Sequence, residues 1–399
     1  MSSSQPLHDP GLPALAVLTG AEAEDLLETA IGPEAGILDA RLAQIRYVPG
    51  ISVVAQFSAR IERPGDSPTR ETIVAASGRE APGSAFRLVA DGIEIALWRY
   101  PHDPALPGLE VAADPTRVLG LLEQLGAPAT AVRLRRRAYR PGRRAVIEVV
   151  TPVARIYLKV LRPNRIAALQ EKHTAMATHL PVPYSFGWSA DQGLVALQSL
   201  PGQTIRKSLE AGKRRLPTGD QLLALLDAIP PRLGSTVKGP SQRAASHARL
   251  LKAVVPDLSA RIDAVAAAVS DVERTPLVPV HGDFHSSQVL GRDATVAGLI
   301  DIDTAGRGER ANDLAMMLGH LASLALASKA GHNIDRYGAS LISAFDETVD
   351  PHDLRLRTAA AILGFATGPF RVQEPSWRTA TERRITLAER WVDSATTAE

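Results

Sequence analysis

Hydrophobic and polar positions alternate along the first part of the chain. From about residue 43 the segments LAQIRYV, SVVAQFSARIE and RETIVAAS run with period two, and a Pro-Gly-Asp sequence at 64–66 separates the second from the third. This pattern predicts a hairpin of long strands. The segment EIALWRYP predicts a further strand and residues 115–125 a helix. The polar residues 1–40, weakly helical at 21–30, are typical of a lead-in.

The pattern changes from strands to helices near residue 203. Before it, ARIYLKVLRP predicts a strand, RIAALQEKHTAMATHL a helix, and VPYSFGWSA with GLVALQSLPG two strands around a turn. A β-rich part followed by an α-rich part predicts an α+β, two-lobed chain with a ligand cleft at the junction. The predicted helices after residue 203 lie at 221–227, 244–254, 258–272, 311–328, 334–345, 354–364 and 379–394.

A weak internal repeat links the first strands to later ones. Four residues of RYVPGISVVAQF, including Tyr47 and Gly50, recur in AYRPGRRAVIEV as Tyr139 and Gly142, always 92 positions later. Each Pro-Gly pair predicts a tight bend between strands. Two related β-rich layers would explain the repeat, and so would chance. The first copy has no lysine in RETIVAAS and is followed by no second His-Gly-Asp.

Composition narrows the class of protein. The 399 residues are 45% hydrophobic and 22% charged, which is typical of a soluble globular chain with two or three subdomains. The absence of cysteine excludes disulfides, thiolate metal sites and cysteine nucleophiles, and favours a cytoplasmic location. The first residues lack the pattern of a signal peptide. The longest uncharged run, 314–328, is too short to predict a membrane-spanning helix.

The charge of the chain is balanced overall but locally uneven. A net charge of +2 provides no global field, so neither nucleic acid nor a membrane is an expected partner. Seven arginines do cluster around the second copy of the repeat, but a nucleic-acid surface would interleave aromatic residues with them, and only Tyr139 does so. The cluster is better explained if its arginines lie on solvated strand faces or beside the phosphates of a nucleotide. The cluster consists of Arg133, Arg135, Arg136, Arg137, Arg140, Arg143 and Arg144.

The segment 278–306, VPVHGDFHSSQVLGRDATVAGLIDIDTAG, carries the strongest chemical signal. Asp283 follows His-Gly, Gln288 lies five residues later, and Asp301 ends an apolar run. Phosphoryl transfer needs a carboxylate beside the acceptor hydroxyl and further oxygen ligands for magnesium, and these three side chains supply that set. A His-Gly-Asp triplet standing alone would be read as an ordinary turn.

Lys159 strengthens this hypothesis. Only seven of the 45 basic residues are lysine, and Lys159, the first of them, lies within an apolar strand. An ammonium there can bind the α- and β-phosphates of a nucleotide. Glu171, twelve residues later on the following helix, has the spacing of a partner. The alternatives are a lysine at a strand edge with its ammonium in water, and a glutamate on a solvated helix face.

Together these residues resemble a known superfamily. HGDFHSSQ, IDID at 300–303, NDLA at 312–315 and the strand lysine with its helical glutamate resemble the aminoglycoside phosphotransferase and choline kinase superfamily, which has a protein-kinase-like fold. Gln288, where most members have Asn, is similar to the bacterial maltokinase-like sugar kinases. The resemblance implies an N-terminal cap at 1–128, a nucleotide-binding lobe at 129–202 and a helical lobe at 203–399.

The resemblance also implies roles for individual residues. Asp283 would be the catalytic base, and Gln288 and Asp301 would hold Mg²⁺. Asp303 would be a secondary metal or substrate contact or a capping carboxylate. The chain lacks a G-x-G-x-x-G loop, so the turn after Tyr139 would have to bind the phosphates. The remaining implied residues are Lys159 with Glu171 at the phosphates, Gly142, Arg143 and Arg144 in that turn, Gln198, Ser199 and Leu200 at the adenine, and His281 and Asp313 as supports of the catalytic loop.

The expected partners are therefore ATP or GTP and a small hydroxylated acceptor, bound by a monomer or homodimer. Residues 203–399 carry nearly equal numbers of acids and bases and no acidic run, which favours a neutral sugar over a polycationic aminoglycoside. An aminoglycoside or other antibiotic as acceptor remains an alternative. A second alternative is a nucleotide-binding protein without kinase activity.

Overall fold

The computed structural model describes residues 7–397 and has a mixed α+β architecture. The chain divides into two compact units. The N-terminal unit comprises the chain up to Ala167 together with Phe186–Leu197 and Phe370–Pro375. The C-terminal unit comprises Ala168–Ser185, Gln198–Pro369 and the chain from Ser376. The division into an N-terminal cap, a nucleotide-binding lobe and a helical lobe, with the bounds predicted above, remains a proposal.

The N-terminal unit contains two five-stranded sheets with the same strand order. Each order is first, second, third, fifth, fourth along the copy. The first copy consists of α1 (Ala14–Thr19), α2 (Ala23–Ile31), β1 (Gly36–Val48), β2 (Ser52–Glu62), β3 (Thr69–Gly78), β4 (Phe86–Ala90) and β5 (Ile93–Arg99). The second consists of α3 (Gly108–Ala112), α4 (Pro115–Gln124), β6 (Arg133–Arg140), β7 (Arg144–Val150), β8 (Arg155–Leu161), β9 (Ser185–Ser189) and β10 (Leu194–Gln198), with α5 (Pro163–Ala177) before β9.

This common topology confirms the predicted repeat. The Pro-Gly turns lie between β1 and β2 and between β6 and β7, where Tyr47 pairs with Val53 and Tyr139 pairs with Ala145. The two copies share a hydrophobic core, because residues of β2 and β3 pack together with residues of β7, β8, α3 and α4.

Two secondary-structure predictions for this part of the chain need correction. The predicted lead-in contains the helix expected at 21–30, which is α2, and in addition the short helix α1, which was not predicted although its Leu15 and Leu18 are buried. The prediction also lacked β4, a short edge strand whose Phe86 and Val89 are exposed and therefore show no alternation. Of the lead-in, residues 1–6 lie outside the described residues.

The C-terminal unit is mainly helical and contains short strands that carry the predicted site. Its strands are β11 (Gln203–Thr204), β12 (Val278–Val280), β13 (Val289–Arg292), β14 (Thr295–Leu299) and β15 (Gly306–Gly308). Its helices are α6 (Ile205–Glu210), α7 (Gly219–Asp227), α8 (Pro240–Val254), α9 (Ser259–Ala268), α10 (Arg310–Ala325), α11 (Gly331–Asp346), α12 (Pro351–Phe365) and α14 (Trp377–Ala395), with a four-residue α13 (Gly368–Arg371) at the unit boundary. Helices α9 and α10 end earlier than the sequence predicted.

The core of the C-terminal unit is built from apolar side chains of α6, α7, α10 and α11 together with Phe284, Val289 and Leu299. Buried apolar residues such as Phe284, Val289 and Leu299 thus lie between the polar residues of the predicted site. Among residues 7–397, no helix is long and apolar enough to cross a membrane.

Candidate active site

The loop after β12 is fixed by a buried carboxylate. Asp313 on α10 is 1% exposed and accepts hydrogen bonds from the main-chain N–H groups of His281, at 2.6 Å, and Gly282, at 2.8 Å. Burial raises the pKa of the Asp313 carboxyl, and the two amides oppose that shift. Gly282 has φ +78°, and a Cβ there would lie 2.7 Å from the carbonyl oxygen of Thr304. The loop is therefore held tightly just before Asp283.

The His281 ring holds the loop from its other side. Its Nδ1 accepts the main-chain N–H of Asp283 at 3.3 Å, so Nε2 carries the proton and donates to the carbonyl of Ile300 at 3.0 Å. These contacts fix the backbone of Asp283 while its carboxylate stays 38% exposed. A carboxylate on a rigid backbone with access to solvent can meet a small-molecule hydroxyl.

The β13–β14 hairpin brings Gln288 and Asp301 together. The main-chain N–H of Ile300 donates to the carbonyl of Gln288 at 2.9 Å, and the Gln288 amide nitrogen lies 3.4 Å from Asp301 Oδ2. Asp301 has φ +58° and ψ +47°, a left-handed conformation that costs a non-glycine residue energy and is common at functional sites.

The donor set at this hairpin fits magnesium. Among the described residues no group of three or more His, Asp and Glu side chains could hold a metal ion. Magnesium, however, commonly takes one or two carboxylates together with substrate phosphates and water. Asp301 supplies a carboxylate, and Gln288 supplies an amide oxygen once its amide turns by half a rotation. Asp303 offers its main-chain carbonyl to Lys172 Nζ at 2.7 Å.

His285 is a site residue that the sequence analysis missed. Its Nδ1 accepts the main-chain N–H of Ser287 at 3.2 Å, and its Nε2 lies 3.7 Å from Asp283 Oδ1. The ring stacks on His320 with centroids 4.4 Å apart, and His320 in turn bonds Ser286 Oγ at 2.9 Å. Burial lowers the pKa of both imidazoles. The second histidine of HGDFH is the feature of the sequence that could have indicated this residue.

The N-terminal unit holds the residues predicted to bind phosphate. Lys159 on β8 is 6% exposed and pairs in register with Val146 of β7. The Gly142 N–H is engaged by the Asp103 carboxylate at 2.7 Å, and Arg143 forms an ion pair with Glu80 at 2.8 Å. The turn therefore presents side chains rather than the Gly142 amide. Arg144 begins β7.

The remaining predicted residues lie in the C-terminal unit, to which α5 from Ala168 onward and Gln198, the last residue of β10, belong. Glu171 is on an exposed face of α5. The main-chain N–H of Gln198 donates to the carbonyl of Tyr184 at 2.8 Å, and Ser199 follows it. Leu200 packs on Gly298 of β14, where a Cβ would lie 2.5 Å from its Cδ1. A side chain at position 298 would therefore displace the Leu200 methyl group and crowd the carbonyl oxygen of Pro181, 3.3 Å from the added Cβ.

A cavity of about 180 Å³ lies beside the loop that carries Asp283, within the C-terminal unit. It is lined by Gly282, by residues of α8, α10 and α12, and by the loop before α8. His247 contributes a buried Nδ1 that has no hydrogen-bond partner among the described residues. Burial, and secondarily the charge of Arg243, lowers the pKa of this imidazole to about 4. It is therefore neutral at pH 7.

The match to a family model shows which class of protein this chain is. A model of the phosphotransferase enzyme family, APH, matches residues 144–346, about half of the chain. The chain belongs to this family. It is an enzyme that transfers a phosphoryl group to a hydroxyl group of a small molecule. No curated protein matches the chain. The specific likeness to maltokinases stays a prediction.

Several solved structures are distantly similar. One is a thermostable mutant of aminoglycoside phosphotransferase APH(4)-Ia in ternary complex with ADP and hygromycin B, with 14% identity, 70% of this chain and 97% of that chain covered, and a TM-score of 0.46. A putative aminoglycoside phosphotransferase from Ralstonia eutropha JMP134 has 13% identity, coverages of 71% and 98%, and a TM-score of 0.48. Macrolide 2'-phosphotransferase MphH from Brachybacterium faecium has 18% identity, coverages of 68% and 98%, and a TM-score of 0.42.

Proposed function

We propose that the chain phosphorylates a hydroxyl group of a sugar or sugar-like compound, with ATP as donor and GTP as the alternative donor. The observation that carries the proposal is the rigid loop of Asp283 next to the paired Gln288 and Asp301. Bound through Gln288 and Asp301, magnesium would neutralise charge on the transferred phosphate.

In this proposal Asp283 acts directly on the acceptor. Its carboxylate accepts a hydrogen bond from the acceptor hydroxyl and takes that proton as the new P–O bond forms and the bond to the departing ADP breaks. His285 Nε2 lies 3.7 Å from Asp283 Oδ1 and 3.4 Å from the Gln288 amide nitrogen, so the imidazole lies between these two predicted site residues. His281 and Asp313 keep the backbone of the loop in place, so little reorganisation is needed during the reaction.

We further propose that the acceptor is neutral and binds in the cavity beside Gly282, the residue that precedes Asp283. The His247 ring that lines this cavity is uncharged at pH 7, which suits a neutral acceptor. The exposed charges at its edge are those of Lys238 and Arg243, whereas the nearby Glu309 and Asp313 are buried in contacts with the protein. A polycationic aminoglycoside would meet like charges at this edge. The volume suits a single ring better than a linked set of charged rings.

A nucleotide-consumption screen tests the proposal. Parent protein with Mg-ATP or Mg-GTP would be assayed against neutral sugars, aminoglycosides and hydroxylated antibiotics. We expect consumption with a neutral sugar, and we expect Asp283→Asn to lower turnover at least about 100-fold while nucleotide binding is retained. A response to aminoglycosides alone would overturn the sugar assignment. Nucleotide binding without consumption of nucleotide, across all acceptors, would favour a binding protein.

His247 provides a sharper test of the acceptor cavity. His247→Ala should raise the KM for the acceptor about ten-fold and leave the KM for nucleotide unchanged, since it removes one hydrogen-bonding group from the cavity. His332→Ala, at an exposed histidine on α11, is the control. An unchanged acceptor KM in His247→Ala would place the acceptor elsewhere.

A further inference from the structure

The repeat in the N-terminal unit extends beyond its strands to a shared loop. HDPGLPAL at 8–15 matches HDPALPGL at 102–109, and each segment enters the first helix of its copy. In the first copy Asp9 Oδ2 accepts from Tyr47 Oη at 2.6 Å and from the Gly50 N–H at 2.7 Å, while its Oδ1 accepts from the Gly11 N–H at 2.9 Å. One carboxylate thus fixes the turn between β1 and β2.

The second copy has the same network at the turn between β6 and β7. Asp103 Oδ2 accepts from Tyr139 Oη at 2.8 Å and from the Gly142 N–H at 2.7 Å, while its Oδ1 accepts from the Ala105 N–H at 2.9 Å. The glycines of the two turns have nearly equal φ values, +68° for Gly50 and +67° for Gly142. In both copies an aspartate carboxylate therefore holds the turn with its glycine in the left-handed conformation.

Only the second copy carries the lysine predicted to bind phosphate. Val54 and Val146 are 92 positions apart, as the rest of the repeat is, and they pair in register with Ala76 and Lys159 respectively. Ala76 is fully buried, so the first copy has no cation at this place. The first copy therefore retains the hydrogen bonds around its turn but lacks the lysine of the second copy.

The turn of the second copy is held by further contacts. Arg162 Nε donates to the Gly142 carbonyl at 2.6 Å, and Arg46 of the first copy donates to the Pro141 carbonyl at 3.3 Å. Glu80, also from the first copy, pairs with both Arg46 and Arg143. Since this turn leads directly into β7, which pairs with the strand of Lys159, its position fixes Arg143 relative to Lys159.

We infer that Asp103 is a positioning residue that sets the turn from Arg140 to Arg144 for the phosphates of the nucleotide. This inference rests on the proposed function. Asp103 is 4% exposed and accepts three hydrogen bonds with its two oxygens, so an asparagine, which has a single acceptor oxygen, cannot satisfy them all. Asp9 has the same contacts at a turn without a phosphate-binding lysine, and it provides a matched control.

The experiment compares Asp103→Asn with Asp9→Asn in the full chain. We expect both variants to lose similar thermal stability, because they lose the same hydrogen bonds. Asp103→Asn should weaken Mg-ATP binding, measured by calorimetry, about ten-fold and raise the KM for ATP to match, with the acceptor KM unchanged. Asp9→Asn should keep the parent affinity for Mg-ATP. Tyr139→Phe and Tyr47→Phe form a second, milder pair should an aspartate variant fail to fold.

The outcomes separate this inference from the proposed function. Equal stability losses with unchanged Mg-ATP affinity in both variants would make Asp103 purely structural. Tighter binding by Asp103→Asn would show that removing a negative charge near the phosphates outweighs any positioning, and would also overturn the inference. Failure of the parent protein to bind Mg-ATP would instead overturn the nucleotide assignment itself.

Discussion

Gln288 turns its amide nitrogen toward Asp301, although a magnesium ligand must present oxygen. Rotation of the amide exchanges the two atoms without moving the backbone, so metal binding and the observed hydrogen bond are alternative states of one side chain. Gln288→Ala should therefore raise the magnesium concentration needed for activity. Gln288→Asn should be milder, and Asp301→Ala worse than either, because a carboxylate contributes charge as well as a lone pair.

A magnesium titration of the three variants checks this order. The Asp283→Asn variant serves as an inactive reference that retains both ligands. Should Gln288→Ala titrate like the parent while Asp301→Ala is inactive, Gln288 would be only a loop residue. The predicted likeness to maltokinases would then lose its main support.

His247 should make folding sensitive to mild acid. Its pKa is about 4 in the folded chain, below the 6.5 of a solvent-exposed imidazole, because burial disfavours the cation. The unfolded chain therefore takes up a proton first as the pH falls from about 6.5 to 4, and the folded state loses up to roughly 3 kcal/mol over that window. Urea unfolding of the parent and of His247→Gln across this window measures the effect. A variant whose stability follows the same pH dependence as the parent would contradict it.

How well the sequence predicted single residues depended on how close in sequence their partners lie. Asp283, Gln288 and Asp301 fall within one segment of 29 residues, 278–306, so their spacing was visible. The partners of Asp103 lie up to 39 positions away, and the cavity around His247 is assembled from four separate parts of the chain. No local pattern reveals such contacts, because they depend on how the elements pack.

At the scale of elements, α12 is fixed to the start of α10 by a buried cation. Arg357 is 1% exposed and donates to Glu309 at 3.1 Å, to Asn312 at 2.9 Å and to Asp353 at 3.1 Å. Helix α10 also carries Asp313, which holds the loop that precedes Asp283. This ion-pair network thus connects the packing of α12 to the position of the loop.

Removal of the Arg357 cation should lower the free energy of unfolding. Arg357→Met removes the buried cation from the carboxylates of Glu309 and Asp353, and we expect a loss of about 3–5 kcal/mol in the free energy of unfolding. Lys252→Met breaks an exposed pair with Asp263 and should cost less than about 1 kcal/mol. Urea denaturation of both variants measures the difference, and equal losses would show that burial of the Arg357 network does not matter.

Elements that contain buried residues were predicted more readily than exposed or very short ones. Strand β2 alternates toward its C-terminal end, β3 has six consecutive buried residues, and α5, α8 and α11 each bury one apolar face. The exposed edge strand β4 has no buried face to produce a pattern. Helix α1 is only six residues long, too short for its spacing to be recognised.

At the scale of the whole molecule, the two copies of the repeat share their structure but not the lysine predicted to bind phosphate. Both copies keep the strand order, the glycine turn and its aspartate. Four matched residues hinted at this from the sequence, but the equivalence of Ala76 and Lys159 required the strand register. The first copy shows what such a sheet looks like with an apolar residue in place of the lysine.

That equivalence predicts the behaviour of a lysine variant. Lys159→Met places an apolar side chain where the first copy has the buried Ala76, so we expect the sheet to fold. Mg-ATP at about 100 times its dissociation constant should stabilise the parent by about 2.7 kcal/mol, and this gain should largely vanish in Lys159→Met, because the cation that binds the phosphates is gone. Lys252→Met controls for the loss of a lysine as such. Thermal melts with and without Mg-ATP decide the matter: a Lys159→Met chain that gains as much stability as the parent would show that the lysine does not bind the nucleotide.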